Sequence, residues 1–300
     1  MTTTSRKKQQ WHGRSRGGGV GIRCFEWLIR HVGTRGAYLL LYLVVPYFVL
    51  FAPTSTRSVW YFSRHVRHLG LLSSVVAVFR TFFVFGQCII DRMAVCQVGA
   101  DNLFAYDTEN FEEVYNTMAQ EKPCIVISAH VGQWEVGSPF FANLNRKMNV
   151  TLFEGESKAV QAVLNEAEAD KRFDYILLGS DSLASVMQIK AALDRNEIVC
   201  FMADRYMTGS QTRRVRFLGH EVDMTITPFR IAKTLSVPIT LYFIVRQNNS
   251  TYKIIFHNID ISKCCTPQEM QDAYVFALED VVRRYPHQWF NLYNYFQYKN

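Results

Sequence analysis

The second two-thirds of the chain alternates short apolar runs with longer stretches in which apolar residues recur at helical spacing. Short apolar runs are typical of buried strands, and recurrence every three to four residues is typical of helices with one buried face. The runs predict strands over 124–129, 149–154, 175–178 and 198–203. The longer stretches predict helices over 132–142, 158–172 and 182–195.

The C-terminal part of the chain continues this pattern and adds a hairpin signal. The elements predicted there are, in order, an edge segment, a helix, two strands and a helix, at 213–218, 228–235, 239–246, 252–259 and 268–284. The two strands are joined through Gln-Asn-Asn-Ser, which indicates an antiparallel hairpin. Buried strands separated by helices are typical of parallel sheets. We therefore predict an α/β domain over 101–300, with a mixed, largely parallel sheet flanked by helices.

The first third of the chain contains a long uncharged segment. Residues 36–56 form a run of 21 uncharged residues, of which 37–52 are strongly apolar. The apolar part is a little shorter than the roughly 20 residues that span a bilayer as a helix. Pro46 is tolerated better in a membrane helix than in a soluble one. We predict a membrane helix at 36–56, and whether it spans the bilayer or lies in it stays open.

Residues 57–100 continue with apolar and aromatic runs that are interrupted by single arginines. Long basic side chains beside apolar surface are typical of helices that lie in a membrane interface. The pattern predicts amphipathic interfacial helices in this segment. The alternative is that the same runs are core helices of the globular domain.

The net charge of +7 is unevenly placed along the chain. Residues 1–35 hold eight Lys and Arg side chains against a single acidic one, so this basic segment accounts for the whole excess. Residues 1–100 carry 13 basic and two acidic side chains, whereas residues 101–300 carry 20 and 24. The slight acidic excess of residues 101–300 argues against a nucleic-acid-binding surface there. A basic segment before an apolar helix predicts a cytoplasmic N-terminus on an anionic membrane surface.

The seven cysteines are scattered and form no C-x-x-C pair. This pattern excludes a disulfide framework and a zinc knuckle of the usual kinds. We therefore predict free thiols in a reducing compartment, and no metal site.

Polar residues that follow predicted strands are the candidates for chemistry, because active groups in such sheets lie beyond the carboxyl ends of the strands. His130 follows the first strand, with Glu135 five residues later, and Asp204 and Arg205 follow the fourth. A helix that begins near Gly132 would bring Glu135 within reach of the imidazole. A histidine held by a carboxylate can act as a general base toward an alcohol. A hydrogen-bonded structural histidine is the alternative, since this spacing often arises by chance.

Five segments of the chain form a recognisable combination. They are SAHVGQWEVG at 128–137, FMADR at 201–205, FLG at 217–219, TITP at 225–228 and YPHQWF at 285–290. Together they resemble the lysophospholipid acyltransferase superfamily, and more narrowly the lauroyl and myristoyl acyltransferases that act late in lipid A biosynthesis. The resemblance runs in the same order over most of the chain. It implies a glycerol-phosphate-acyltransferase-like fold on the cytoplasmic face of the inner membrane, held there as a single-pass or monotopic protein.

The resemblance also implies a reaction and its residues. The enzyme would transfer a fatty acyl chain from acyl carrier protein, or from coenzyme A, to a hydroxyl of a membrane lipid acceptor, with no cofactor besides that acyl thioester. His130 would be the base, Glu135 its orienting partner and Asp204 an aspartate beside the site. We expect Arg205 to stabilise negative charge that develops on the thioester.

Other residues are candidates for binding substrate. Trp134 is expected to line an acyl groove, although aromatic residues in this context are more often part of the core. Arg213, Arg214 and Arg216 form a basic cluster that is suited to lipid phosphates or to the acidic surface of acyl carrier protein. The alternative is a solvated strand edge that resists edge-to-edge pairing.

One segment departs from the family pattern. The lipid A enzymes usually carry a Tyr-Arg-Pro-x-Asn-like segment after the second strand, and this chain has FEGESK at 153–158 instead. An acidic segment there argues against a phosphorylated disaccharide as the acceptor. The Asp204-Arg205 pair and the YPHQW segment at 285–289 resemble relatives that acylate other polar or pigment lipids, of the aminolipid or aryl polyene type. A non-catalytic lipid-binding protein on the same fold and a hydrolase that releases free fatty acid also stay open.

Overall fold

The fold is seen in a computed structural model. It describes residues 19–98, 103–120, 122–137, 144, 146–153, 173–178, 182–206, 210–259, 264 and 266–296. Half of the predicted basic segment 1–35 and all of the predicted helix 158–172 lie outside the described residues. The four predicted segments 1–35, 36–56, 57–100 and 101–300 stay predictions as divisions of the chain.

Three helices precede the sheet. Helix α1 (Gly19–Phe51) is interrupted at Gly33, where φ is +81°. Helix α2 (Pro53–Tyr61) continues into a π-helical turn, and α3 (Leu71–Val98) is one continuous helix of 28 residues. Helix α1 packs along α3 through a cluster of buried apolar side chains, among them Ala37, Leu41, Val45, Val78 and Phe82. Residues 57–100 were predicted to form interfacial helices or core helices. The part from residue 71 onward is α3, which pairs with α1.

Two helices among the described residues are long and apolar enough to cross a membrane, Arg23–Phe51 and Leu71–Gln97. Large apolar side chains are exposed on both of them: Leu39, Leu43 and Leu50 on α1, and Leu72 and Val76 on α3. Exposed apolar side chains that cluster in this way mark an interaction surface. The helical pair carries that surface, whereas the sequence predicted a single membrane helix followed by interfacial ones.

The prediction of a mixed, largely parallel sheet is confirmed. Its strands are β1 (Ala105–Glu109), β2 (Cys124–Ser128), β3 (Met148–Phe153), β4 (Phe173–Leu178), β5 (Ile198–Met202), β8 (Ile239–Arg246) and β9 (Thr251–Ile259). They lie in the order β1-β9-β8-β2-β5-β3-β4. The five strands from β8 to β4 are parallel, β9 pairs antiparallel to β8, and β1 runs parallel to β9. The predicted hairpin is β8–β9.

Helices cover both faces of this sheet. Alternate residues of β2 point to opposite faces, so that Ile125 and Ile127 pack in one apolar cluster and Cys124 and Val126 in another. The first cluster includes α6 (Thr227–Leu235) and α7 (Pro267–Arg284), and the second includes α4 (Phe111–Ala119). Helix α5 (Ser182–Asp194) also contributes to the first. The core therefore lies in two layers on either side of β2.

The segment predicted as a sheet edge belongs to a separate hairpin. Strands β6 (Thr212–Phe217) and β7 (His220–Thr225) pair only with each other, antiparallel, as a two-stranded sheet. The sequence analysis missed β7 because charged residues interrupt its apolar positions. This correction moves the basic cluster of β6 away from the edge of the main sheet.

Candidate active site

His130 and Asp204 lie at the same edge of the sheet because their strands are neighbours. Strands β2 and β5 pair in parallel with Ser128 opposite Met202. Each site residue follows two positions after one member of that pair. Parallel strands end at a common edge, so the register itself brings the two side chains together.

The two side chains form a direct pair. The Nδ1 atom of His130 lies 2.8 Å from Oδ1 of Asp204. The aspartate side chain is 0% exposed, whereas 22% of the histidine side chain is exposed. Within the described residues, Nε2 of His130 makes no hydrogen bond. The imidazole is therefore anchored through one nitrogen and presents the other.

The surroundings of Asp204 keep it ionised. Burial by itself would raise the pKa of this carboxyl, but the charge and hydrogen bond of His130, together with nearby Arg205, outweigh burial and hold the pKa below its ordinary value. An ionised acceptor at Nδ1 favours the tautomer that carries its proton there. Nε2 is then the basic nitrogen, which is the arrangement that a general base toward a hydroxyl requires.

Glu135 is not the partner of the imidazole, contrary to the sequence expectation. Its carboxylate accepts from Arg92 of α3 at 2.8 Å and from the side-chain amide of Gln133. The predicted helix is absent at its expected start, because Gly132 has φ +61° and residues Trp134–Gly137 form only a 3-10 turn. Burial raises the pKa of Glu135, while Arg92 and Gln133 oppose that shift. Asp204 occupies the place that the sequence analysis gave to Glu135.

An apolar cleft lies at the ends of the same two strands, two residues before each member of the pair. Ser128 and Met202, at the ends of β2 and β5, line it together with Trp134 and Tyr242. The cleft is narrow, and the volume open to the centre of a water-sized sphere is about 30 Å³. Because its lining includes the last residues of both strands, it reaches the sheet edge at which His130 lies. Trp134 lines this cleft, and its role in binding substrate stays a prediction.

Comparison with known families decides the relationship. The family model described as bacterial lipid A biosynthesis acyltransferase matches residues 77–298, which is more than half of the chain. The chain belongs to the lipid A biosynthesis acyltransferase family. None of the curated proteins compared with the chain matches it. The family match begins inside α3 and includes both His130 and Asp204.

In this family member, Arg205 is partly committed to the C-terminal segment. Its Nη2 donates to the carbonyl of Phe290 at 2.7 Å and its Nε to Oδ1 of Asn291 at 3.2 Å. The guanidinium also lies over the ring of Tyr293, 5.3 Å from its centroid. The role of Arg205 in stabilising negative charge on the substrate stays a prediction. Only the N–H groups that do not bond to the C-terminal segment would be available for it.

The three arginines of β6 differ in their neighbours. Arg213 forms a two-point ion pair with Asp272 at 2.6 and 3.1 Å. Arg214 contacts Asp223 at 3.3 Å. Arg216 is exposed. Neighbouring carboxylates therefore offset much of the positive charge of this cluster, and its predicted binding role stays a prediction.

Sequence reasoning missed the segment that holds the His130 loop in place. The backbone N–H of Phe290 donates to the carbonyl of His130 at 2.9 Å, and the N–H of Gly132 donates to the carbonyl of Gln288 at 2.8 Å. Val131 and Trp289 between them form an antiparallel bridge. The available signal was the YPHQWF segment, which the sequence analysis took as part of the family pattern and not as a support for the His130 loop.

Proposed function

We propose that this protein is a membrane-bound O-acyltransferase that moves a fatty acyl chain from a thioester to a hydroxyl of a lipid of the lipid A precursor type. The observation that carries the proposal is the His130–Asp204 pair, with Nε2 of the histidine unpaired among the described residues. An apolar cleft lined by the last residues of the two strands that precede the pair, Ser128 and Met202, supports it. Family membership supports acyl transfer as the class of reaction. The donor is expected to be acyl carrier protein or coenzyme A.

The geometry supports one sequence of steps. Nε2 of His130 takes the proton from the acceptor hydroxyl as its oxygen attacks the thioester carbonyl, and Asp204 stabilises the imidazolium that forms. The C–S bond then breaks, and His130 returns the proton to the departing thiolate. The remaining N–H groups of Arg205 are candidates to stabilise the oxyanion. No bond to the protein is formed in this scheme.

The apolar lining of the cleft, and not its small volume, supports an alkyl chain as the transferred group. Its lining comes from one face of β2, β3 and β5, through Val126 and Ser128, Met148 and Val150, and Cys200 and Met202. A mostly apolar groove with few polar groups suits an alkyl chain. Trp134 and Tyr242 complete the lining.

Attachment to the cytoplasmic face of the inner membrane is part of the proposal. The exposed apolar side chains of α1 and α3 support it, as do the arginines that follow α1, among them Arg57 and Arg64. Apolar helices flanked by basic side chains bind anionic bilayers through burial of apolar surface and through attraction between opposite charges. Acyl carrier protein and acyl-coenzyme A are expected on the same side.

A second acceptor class remains in view because of the acidic segment 153–158, FEGESK. Carboxylates repel a phosphorylated disaccharide, so an aminolipid or an aryl polyene lipid is the alternative acceptor. Residues 154–158 lie outside the described residues, so this alternative rests on sequence.

The test has an in vitro arm and a cellular arm. Full-length protein in detergent micelles is given saturated acyl thioesters of acyl carrier protein or coenzyme A, with an under-acylated lipid A precursor, and products are measured by mass spectrometry. Acylated precursor supports the proposal, whereas free fatty acid without acylated lipid indicates a hydrolase. Lipid mass spectrometry of cells with and without the gene then identifies the natural acceptor by the mass of one missing acyl group. No change in any lipid, together with no transfer in vitro, would contradict the proposal.

A further inference from the structure

A buried charge pair joins the helical pair to the sheet. Asp91 of α3 and Arg246 at the end of β8 have side chains that are 0% and 6% exposed, and Nε of the arginine lies 2.9 Å from Oδ2 of the aspartate. The hydroxyls of Tyr38 and Tyr252 also donate to this carboxylate. Both carboxylate oxygens are therefore occupied, as the burial of an ion requires.

Arg246 is held from several directions at once. Its Nη2 donates to the hydroxyl of Tyr38 at 2.9 Å and its Nη1 to Oδ1 of Asn249 at 3.2 Å. Its guanidinium also lies over the Tyr38 ring at 4.9 Å. A planar guanidinium with several directed bonds has little freedom to move. The end of β8 is consequently a fixed point in the molecule.

The side chain of Gln288 binds the backbone of Arg246. Its Oε1 accepts from the N–H of Arg246 at 2.8 Å, and its Nε2 donates to the carbonyl of the same residue at 2.7 Å. The glutamine is 7% exposed. Loss of this side chain would leave the buried backbone N–H and carbonyl of Arg246 without their partners, which is unfavourable for both groups.

The backbone of Gln288 and its neighbours in turn holds the His130 loop. Gly132 donates to the carbonyl of Gln288, and His130 accepts from Phe290, so the two ends of the loop are fixed by one segment. Gly132 also approaches β8 closely, because a Cβ atom there would lie 1.9 Å from the carbonyl oxygen of Ile244. The loop is therefore clamped between β8 and 288–290.

We propose that Gln288 is a positioning residue for His130: it transfers the fixed position of Arg246 to the backbone on which the imidazole is mounted. This inference rests on the proposed acyl transfer. A misplacement of a catalytic group by about 1 Å can cost on the order of 100-fold in rate. Among the described residues, the side chain of Gln288 hydrogen-bonds to the backbone of Arg246 and not to His130, so the proposed effect passes through the loop backbone.

Gln271 of α7 offers a matched control. It is 0% exposed, and its side-chain amide donates to the carbonyls of Met224 and Thr225 at 3.4 and 3.0 Å. It is thus another buried glutamine that bonds to backbone, and its Oε1 also accepts from Arg213 at 3.5 Å. Within the part of the chain that the structure describes, it makes no hydrogen bond to residues 130–132. A purely structural role would make the two glutamines equivalent.

The experiment compares Gln288→Leu, Gln288→Glu and Gln271→Leu in the full-length protein in detergent. For Gln288→Leu we expect kcat to fall about 10-fold to 100-fold with KM for the acyl donor within about twofold, because substrate contacts are unchanged. Amide exchange at 130–132, followed by mass spectrometry, is expected to become faster. Gln288→Glu keeps the acceptor and loses the donor, so it should lie between wild type and Gln288→Leu.

Gln271→Leu should lower the melting temperature by a similar amount while kcat and exchange at 130–132 stay at the wild-type level. Unchanged kcat and exchange in Gln288→Leu, or an equal fall of kcat in Gln271→Leu, would overturn the inference. If Gln288→Leu does not fold, Gln288→Glu carries the same comparison. A wild-type protein that transfers no acyl group would instead overturn the proposed function, and the exchange measurement would still decide the role of Gln288 in holding the loop.

Discussion

Asp91 and Asp204 are both fully buried carboxylates, and their surroundings differ in a way that separates architecture from chemistry. Asp91 faces Arg246, which keeps its proton at any working pH, and two tyrosine hydroxyls complete its hydrogen bonds. Asp204 faces His130, which is partly exposed, and its Oδ2 has no hydrogen-bond partner among the described residues. The Asp91 carboxylate has hydrogen bonds to both oxygens and a permanent cation beside it, so it holds α3 and β8 together. The Asp204 carboxylate has one unpaired oxygen and an imidazole beside it, which is suited to moving a proton.

The largest expected effect falls on the chemical pair. His130→Ala should lower the turnover of acyl transfer by about 100-fold to 10,000-fold, because general-base catalysis contributes a factor of that order. The variant should unfold at a lower temperature than wild type, because the fully buried Asp204 carboxylate loses its partner, so turnover is compared well below the melting temperature of both proteins. His257→Ala, in β9 and away from the pair, is the control and should keep its activity. Full turnover by His130→Ala would sink the proposed mechanism.

The architectural pair should show the reverse pattern. Asp91→Ala leaves Arg246 buried without its counter-ion, which should cost about 3–5 kcal/mol of unfolding free energy in detergent. Asp272→Ala removes a carboxylate from a largely exposed pair with Arg213 and should cost less than about 1 kcal/mol. Equal losses in the two variants would show that burial of the Asp91 pair carries no special weight.

A double substitution sharpens this reading. Asp91→Leu combined with Arg246→Met removes both charges, so it should destabilise less than either single substitution, since no unpaired ion stays buried. The hydroxyls of Tyr38 and Tyr252 lose their acceptor, so recovery should be partial. Denaturant unfolding of the three variants gives the coupling between the sites. Additive losses would contradict a direct pair.

An exposed cluster gives the smallest effect and a pH signature. Hydrogen bonds from Arg284 and Lys253 lower the pKa of Glu109 to about 2 from its usual 4.5. A depressed pKa contributes stability that is present above pH 4.5 and is lost as the pH falls through about 2. Glu109→Gln should cost at most about 1 kcal/mol at pH 7, because the cluster is partly exposed. The difference from wild type should shrink steadily between pH 4.5 and 2, and a difference independent of pH would contradict this assignment.

The sequence predicted the fold class because the apolar runs of the central strands are short, continuous and bounded. It missed β1 and β7, whose residues are exposed in part and mix charged with apolar positions. It also could not predict that the hydrophobic segments around α1 and α3 pack as a pair. That depends on contacts between residues far apart in the chain, such as Tyr38 with Asp91.

At the candidate site, proximity along the chain misled the assignment of the carboxylate. Glu135 is five residues from His130 in sequence, whereas Asp204 is 74 residues away and adjacent in space. The available signal was that both His130 and Asp204 follow buried strands directly, and adjacent parallel strands end at one edge. The signal for the positive φ that turns the chain out of a helix was Gly132 itself, which the sequence analysis took as a helix start.

One comparison tests the central claim, that Asp204 rather than Glu135 orients the catalytic imidazole. Turnover of acyl transfer is measured for wild type, Asp204→Asn and Glu135→Gln in the same detergent, with unfolding recorded for each. We expect Asp204→Asn to lose about 100-fold or more in turnover, since an amide no longer stabilises the imidazolium, and Glu135→Gln to lose much less. A Glu135→Gln enzyme as inactive as His130→Ala, beside an active Asp204→Asn, would contradict the account.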